Sequence, residues 1–191
     1  MWQQTVTSKI LGQAAILEEQ GVENKNMLVW AKTVRSGDVE NLEGRAAAYY
    51  WRNVFHNPDF VRGQEGDPPN NLLNYGYAIV RAMVARALVA AGLLPTLGIH
   101  HHNRYNAYCL ADDIMEPYRP FVDQLVIYMM KRYEDISELN TEMKRDLLGL
   151  AYQDVLIDGK RSPMQIAIQT TANSVYKCFS GEARKIIYPD W

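Results

Sequence analysis

One segment limits the possible folds of this 191-residue chain more than any other, because residues 70–92 are apolar on almost every side. A helix with apolar residues all round must be buried, so this segment is predicted to be the central helix of the protein. Gly76 and a series of alanines allow neighbouring helices to approach it closely. Arg81 and Arg86 interrupt the segment and need anionic partners, either protein carboxylates or nucleic-acid phosphates.

Helical patterns precede and follow the central segment, and no pattern indicates a sheet. Apolar residues recur at steps of three and four, as they do on one face of an amphipathic helix. We predict further helices over residues 2–19, 26–35, 38–55, about 113–133, 141–156 and 163–179. Asp38 caps the third of these, and Ser162 with Gln165 forms a capping box for the last, with Pro163 at the first helical position. An all-α fold of about seven helices, in one domain spanning residues 1–191, is therefore expected.

Composition and charge exclude several classes of protein. No signal peptide is visible and no apolar run is predicted to reach the length of a membrane span, so no membrane partner is expected. Cys109 and Cys178 lie far apart and predict reduced thiols in a cytoplasmic protein. The net charge of −2 gives no overall basic field, but residues 44–111 hold six arginines against three acids. A local phosphate-binding surface is therefore one interpretation, and ordinary exposed arginines are the other.

Residues 97–120 hold the densest group of candidate metal ligands. The histidines His100 to His102 are followed by Asp112, Asp113 and Glu116. Imidazoles and carboxylates bind divalent cations, and two acids three residues apart face the same way on a helix. The spacing of Asp113 and Glu116 is also that of a capping box, and a histidine run in a loop is usually solvated. Both interpretations stay open on spacing alone.

Glu43 is a further candidate, because it lies on the apolar stripe of the helix predicted over residues 38–55, four residues before Ala47. An acid on such a stripe is costly to bury without a partner. It is either a boundary residue paired with arginine or water, or a carboxylate that faces a metal. If Glu43 meets a histidine and either Asp113 or Glu116, the ligand set suits Mg²⁺ or Mn²⁺.

Four motifs stand in a recognisable order: NLEGRAAAYYW at residues 41–51, NLLNYGYA at 71–78, LGIHH at 97–101 and DIMEPYRP at 113–120. Together they resemble the Cas1 family, the CRISPR-associated integrase and endonuclease that captures new spacers. The opening WQQTVTSKILGQA and the closing IIYPDW also fit, so the resemblance covers nearly the whole chain. It implies the helical catalytic domain of that family, without the β-rich domain that precedes it in family members.

The resemblance also implies a metal-binding triad. The glutamate of the NLEG motif falls on Glu43, and the histidine of the Gly-x-x-His motif falls on His101. The acid of the Asp-x-x-Glu-x-x-Arg-Pro motif falls on Glu116, and Asp113 is a further carboxylate for the same metal. Because the histidines form a run, the two neighbours of His101 remain alternatives. The implied cofactor is Mg²⁺ or Mn²⁺.

The implied activity is metal-dependent phosphoryl transfer on double-stranded and branched DNA. A DNA 3′-hydroxyl attacks a phosphodiester in the repeat array and joins a spacer to it, whereas attack by water gives nuclease activity. A homodimer and the companion protein Cas2 are the implied partners, with the β domain supplying much of the dimer contact. The residues expected to contact the DNA backbone are Arg119, Arg81, Arg86 and Arg104.

Two other classes of function remain open. One is a helical module that binds DNA or a partner protein, with a metal site that is silent without the β domain. The other is a helical metalloenzyme that acts on a small molecule, although no enclosed cofactor motif appears in the sequence.

Overall fold

The computed structural model describes residues 1–191 and is mostly helical, which confirms the predicted fold class. The α-helices are α1 (Trp2–Glu19), α2 (Lys25–Thr33), α3 (Leu42–Asn53), α4 (Asn70–Ala90), α5 (Cys109–Met115), α6 (Arg119–Arg132), α7 (Thr141–Leu148) and α8 (Met164–Phe179). The strands are β1 (Asp154–Ile157), β2 (Lys160–Pro163) and β3 (Pro189–Asp190). Residues 91–108, between α4 and α5, are irregular, as predicted.

Helix α4 is the central helix, and it packs against α5, α6, α7 and α8. Gly76 lies so close to Val122 of α6 that any side chain at position 76 would collide with it. By length and composition α4 could cross a membrane, contrary to the sequence prediction that no run is long enough. However, 56% of its apolar window is buried inside the protein, as expected for a core helix.

Two hydrophobic clusters form the interior of the protein. The larger surrounds α4 and contains residues from α5, α6, α7 and α8. The smaller joins α1, α2 and α3, and it reaches α6 through Ile127. The partly buried side chains of Trp51, Phe55 and Ile99 pack against both clusters. The candidate site residues lie where the two clusters meet.

A small antiparallel sheet, with strand order β2-β1-β3, was not predicted. The helix predicted over 141–156 ends at Leu148. Its predicted last residues belong to β1, in which the buried Val155 and Ile157 alternate with exposed residues in the two-residue period of a strand. Ser162 and Pro163 pair with β1 instead of forming the predicted capping box. The closing residues form β3, and Asp190 pairs with Leu156.

The helix predicted from about residue 113 is divided into two. Helix α5 begins at Cys109, and a 3₁₀ turn over Glu116–Tyr118 separates it from α6. Pro117 lies in this turn, and Pro120 lies in the first turn of α6, where a missing N–H leaves no helical bond unmade. The turn places Glu116 against α1.

Candidate metal centre and basic cleft

The beginning of α3 determines the position of Glu43. The carboxylate of Asp38 accepts hydrogen bonds from the backbone N–H groups of Leu42 and Glu43, each at 2.9 Å. The side chain of Asn41 accepts a third bond from Gly44 at 3.2 Å. Together they satisfy the unpaired N–H groups of the first helical turn. The predicted capping role of Asp38 is thus present, although α3 begins at Leu42.

Glu116 is almost fully buried, and both its oxygens face cations. Its Oε1 lies 3.0 Å from Nη2 of Arg119, and its Oε2 lies 2.6 Å from Nζ of Lys9. Burial opposes the charged form, but Arg119 and Lys9 outweigh it and hold the pKa of Glu116 below its usual value. Glu116 is therefore ionised at neutral pH.

Lys9 of α1 joins the two glutamates. Its Nζ lies 2.7 Å from Oε1 of Glu43 as well as 2.6 Å from Oε2 of Glu116. Burial alone would lower the pKa of Lys9, but Glu116 and Glu43 together raise it above the usual value. Lys9 was not among the site residues predicted from the sequence. The available signal was its place on the buried stripe of α1, three residues after Val6 and four before Gln13.

The fully buried carboxylate of Asp113 organises the histidine loop, residues 97–102. Its Oδ2 accepts the backbone N–H groups of Ile99 at 2.5 Å and His100 at 2.8 Å, and its Oδ1 accepts that of His101 at 3.3 Å. Nδ1 of His101 also lies 2.5 Å from Oδ1 and donates to it, since a carboxylate only accepts. This bond raises the pKa of His101 against its partial burial. A side chain at Gly98 would collide with this loop.

The three histidines of the run differ in their surroundings. The ring of His100 stacks on Trp2, with centroids 4.2 Å apart and an interplanar angle of 3°. Nδ1 of the exposed His102 lies 2.5 Å from the backbone oxygen of His100. Only His101 has its ring held by a carboxylate, which leaves Nε2 to face a ligand. Metal-binding histidines commonly show this pattern, so the geometry favours His101.

The predicted triad does not form a closed ligand set in this structure. Besides the bond to Asp113, the charges of Glu116 and Glu43 help to raise the pKa of His101. No three His, Cys, Asp or Glu side chains converge closely enough to hold a metal ion. Two carboxylate oxygens do converge on one cation, the ammonium group of Lys9. These donor types fit a hard divalent cation.

A basic cleft of about 540 Å³ adjoins Glu116 and is lined by the side chains of Arg62, Arg81, Arg119 and Tyr77. The guanidinium carbons of Arg62 and Arg119 lie 5.1 Å and 4.8 Å from the centre of the Tyr77 ring. Arg81 is paired with Asp112 at 2.9 Å. Arg81 and Arg119 were predicted from the sequence as DNA contacts. Arg62, which lies in the loop before α4, was not.

The other two predicted arginines lie outside this cleft. Arg86 is exposed on α4, and Arg104 is exposed with its guanidinium carbon 4.6 Å from the centre of the Tyr105 ring. Neither lines the cleft. Their predicted DNA contacts therefore belong, if they form, to a different part of the surface.

A buried carboxylate holds Tyr77 beneath the two arginines. Asp123 of α6 accepts hydrogen bonds from the hydroxyl groups of Tyr77 and Tyr50, the second at 2.9 Å. Burial raises the pKa of Asp123 to about 6, although the two bonds oppose the shift. The Tyr77 ring is therefore a fixed platform for Arg62 and Arg119.

The fold and these side chains define a class of helical protein with a site of acids and histidine beside a basic cleft. The family model for CRISPR associated protein Cas1 matches residues 3–145, and the chain belongs to that family. This confirms the resemblance that the sequence motifs indicated.

Curated relatives agree with this assignment. The chain is 36% identical over 176 residues to a CRISPR-associated endonuclease Cas1 of Neisseria meningitidis, which covers 91% of this chain and 57% of that protein. It is 31% identical to a CRISPR-associated endonuclease Cas1 of Francisella tularensis, over 80% of this chain and 51% of that protein. The chain thus spans about half the length of these relatives.

Solved structures show the same fold. A Cas1 protein from Thermotoga maritima matches with a TM-score of 0.77 at 18% identity, over 94% of this chain and 65% of that one. A casposase bound to integration product matches with a TM-score of 0.77 at 22% identity, over 97% of this chain and 61% of that one. At such identities the likeness concerns the fold.

Proposed function

We propose that this protein is a metal-dependent DNA integrase and endonuclease of CRISPR adaptation, which inserts spacer DNA into the repeat array by transesterification. One observation carries the proposal: the carboxylates of Glu43 and Glu116 approach a single cation, at 2.7 Å and 2.6 Å. Asp113 orients the ring of His101, the third candidate ligand. The names of the curated relatives and of the matching casposase support it.

The chemistry assigns separate tasks to the site residues. A DNA 3′-hydroxyl oxygen forms a bond to phosphorus, the bond to the departing 3′-oxygen breaks, and the proton of the attacking hydroxyl finally reaches the leaving oxygen. Glu43, Glu116 and His101 would hold Mg²⁺ or Mn²⁺, which polarises the phosphoryl oxygens and neutralises developing charge. Asp113 orients His101 through its bond to Nδ1, and a direct contact of Asp113 with the metal stays a prediction.

The basic cleft would hold the DNA backbone next to the reacting phosphate. Arg119 lines the cleft and pairs with Glu116. The guanidinium groups of Arg119 and Arg62 both lie against the Tyr77 ring. Planar guanidinium groups match the geometry of phosphate oxygens. We therefore assign Arg119 and Arg81 as backbone contacts and add Arg62 to them.

A matched pair on α4 tests the cleft. Arg81→Ala is expected to weaken binding of branched DNA roughly threefold to tenfold and to lower the salt slope of binding by about one, because one phosphate contact is lost. Arg86→Ala, on the same helix outside the cleft, is the control and should change both quantities less. Fluorescence anisotropy at several salt concentrations measures them. Equal effects of the two substitutions would exclude the cleft as the DNA site.

Removal of one carboxylate tests the catalytic assignment. Glu43→Ala is expected to lower strand transfer on branched DNA by about 100-fold or more, because the metal would lose a charged ligand. The unfolding temperature should change by no more than about 2 °C, because Glu43 is partly exposed and Lys9 still neutralises Glu116. A strand-transfer assay and a thermal melt provide the two measurements. Retained activity in the folded variant would rule out Glu43 as a ligand.

The second candidate function is that of a binding module, which binds DNA without catalysis. The observation that favours it is the ammonium group of Lys9, which already contacts both glutamates. Titration of the chain with Mn²⁺ and labelled branched DNA separates the two functions. Binding with neither cleavage nor joining at any Mn²⁺ concentration would favour the module.

Partners and organisation follow from the family. We propose double-stranded and branched DNA as the substrates, with Cas2 and a second copy of the chain as protein partners. A matching fold occurs in a Cas6-RT-Cas1–Cas2 complex, with a TM-score of 0.70 at 21% identity over 95% of this chain and 24% of that one. Residues 1–191 would act as one helical domain in the cytoplasm of a prokaryotic cell.

A further inference from the structure

We propose that Lys9 is a tethered cation that competes with the divalent metal for Glu43 and Glu116. It would pair with the two glutamates when no metal is bound, together with Arg119 at Glu116, and it would have to withdraw when a metal binds. This inference rests on the proposed function, because it concerns the same two carboxylates. It adds a residue that sets the metal affinity of the site.

The geometry of the contact carries the inference. One nitrogen, Nζ of Lys9, lies 2.7 Å from Glu43 and 2.6 Å from Glu116. A divalent cation held by the two glutamates would need the carboxylate oxygens that now contact the ammonium group. The two cations would compete for the same oxygens. Metal binding at both glutamates therefore requires Lys9 to move.

The side chain of Lys9 is suited to this exchange. An ammonium group is a compact charge on a flexible four-carbon stem, so it can withdraw without a change in the backbone. The Lys9 side chain is mostly buried, with 12% of its surface exposed. Glu116 would keep its second partner, Arg119, at Oε1 throughout the exchange.

Burial explains why a counter-charge is needed without metal. The Glu116 side chain is only 5% exposed, and an ionised carboxylate at such depth is strongly destabilising unless it is paired. Lys9 of α1 also links Glu43 of α3 to Glu116 in the turn before α6. The site would therefore stay folded when metal is scarce, at the cost of weaker metal binding.

Replacement of Lys9 separates these two effects. Lys9→Met is expected to lower the unfolding temperature in EDTA by about 5 °C or more, since the glutamates lose a counter-charge. The same variant should bind Mn²⁺ about tenfold more tightly than the unmodified chain, because no tethered cation must be displaced. Its gain in unfolding temperature on addition of Mn²⁺ should also be larger. Calorimetric titration and thermal melts measure these quantities independently of activity.

Two further variants control the experiment. Lys25→Met removes an exposed lysine of α2 and should leave both Mn²⁺ affinity and the melts unchanged. Lys9→Gln keeps a polar side chain and should also bind Mn²⁺ more tightly. If a Lys9 variant is unfolded in EDTA, it is melted again in Mn²⁺: recovery of the folded state supports the proposal, and lack of recovery overturns it.

The outcomes distinguish this proposal from the proposed function. If the unmodified chain binds Mn²⁺ and joins DNA but the Lys9 variants bind Mn²⁺ equally or more weakly, competition by Lys9 is wrong and the proposed function stands. If the unmodified chain neither binds Mn²⁺ nor joins DNA, the proposed function fails and the competition fails with it.

Discussion

Glu116→Gln is expected to abolish metal-dependent strand transfer and also to destabilise the protein. Glutamine keeps the shape of the side chain but removes the charge that faces Lys9 and Arg119. Breaking a buried ion pair by removing one partner costs about 3–5 kcal/mol, and partial exposure of Arg119 places the loss near the lower end. For a chain of this size about 3 kcal/mol corresponds to a fall of roughly 6–12 °C in unfolding temperature.

The same variant distinguishes the role of Glu116 in stability from that of Glu43, because only Glu116 combines burial with two cationic partners. Glu43→Ala is expected to remove activity at nearly unchanged stability, whereas Glu116→Gln removes both. Glu138→Gln, an exposed substitution of the same type, is the control and should change neither. Strand-transfer assays and thermal melts are compared for all three. An active Glu116→Gln variant, or one as stable as the unmodified chain, would contradict the role assigned to Glu116.

Asp113→Asn, on α5, is expected to destabilise the protein more than the same change at the neighbouring Asp112. An asparagine side chain has one oxygen, and its amide group would face backbone N–H groups that need an acceptor. Each buried group left unsatisfied costs about 1–3 kcal/mol, so a loss of about 3–5 kcal/mol is expected. His101 would also lose its orienting bond, which lowers metal affinity or activity by about 10-fold to 100-fold.

The neighbouring acid provides the control for Asp113→Asn. Asp112 pairs with Arg81 and is partly exposed, so Asp112→Asn is expected to cost about 1 kcal/mol or less. Urea denaturation gives the two free energies of unfolding, and Mn²⁺ titration gives the two affinities. Equal losses for the two substitutions would show that the four contacts of Asp113 do not organise the loop.

These contacts give Asp113 a specific role in the proposed mechanism. The family resemblance made it a further carboxylate for the metal. In the structure its two oxygens accept three backbone N–H groups and the imidazole of His101, so its lone pairs are already used. We infer that Asp113 acts through His101, and its direct metal contact stays a prediction that Mn²⁺ titration of Asp113→Asn can test.

Periodicity predicted most of the helices but not the small sheet. The apolar stripes of α1 and α4 extend over many turns, so even a single sequence indicates them clearly. Strand β1 has four residues, and its two buried positions, Val155 and Ile157, also fit the end of a helical stripe. Its partners are β2, which follows directly, and β3 at the end of the chain. Pairing with β3 is a long-range contact that a local pattern does not contain.

The sequence by itself determined the fold class and the family, because helical periodicity and ordered motifs are local properties of the chain. It also indicated Glu43, Glu116 and one histidine of the run as the candidate triad. Only the tertiary structure decided how those residues are surrounded. It placed Lys9 of α1 between Glu43 and Glu116, and it directed Asp113 to the histidine loop. The physical reason is that ion pairs and buried hydrogen bonds depend on how helices pack, which brings together residues far apart in sequence.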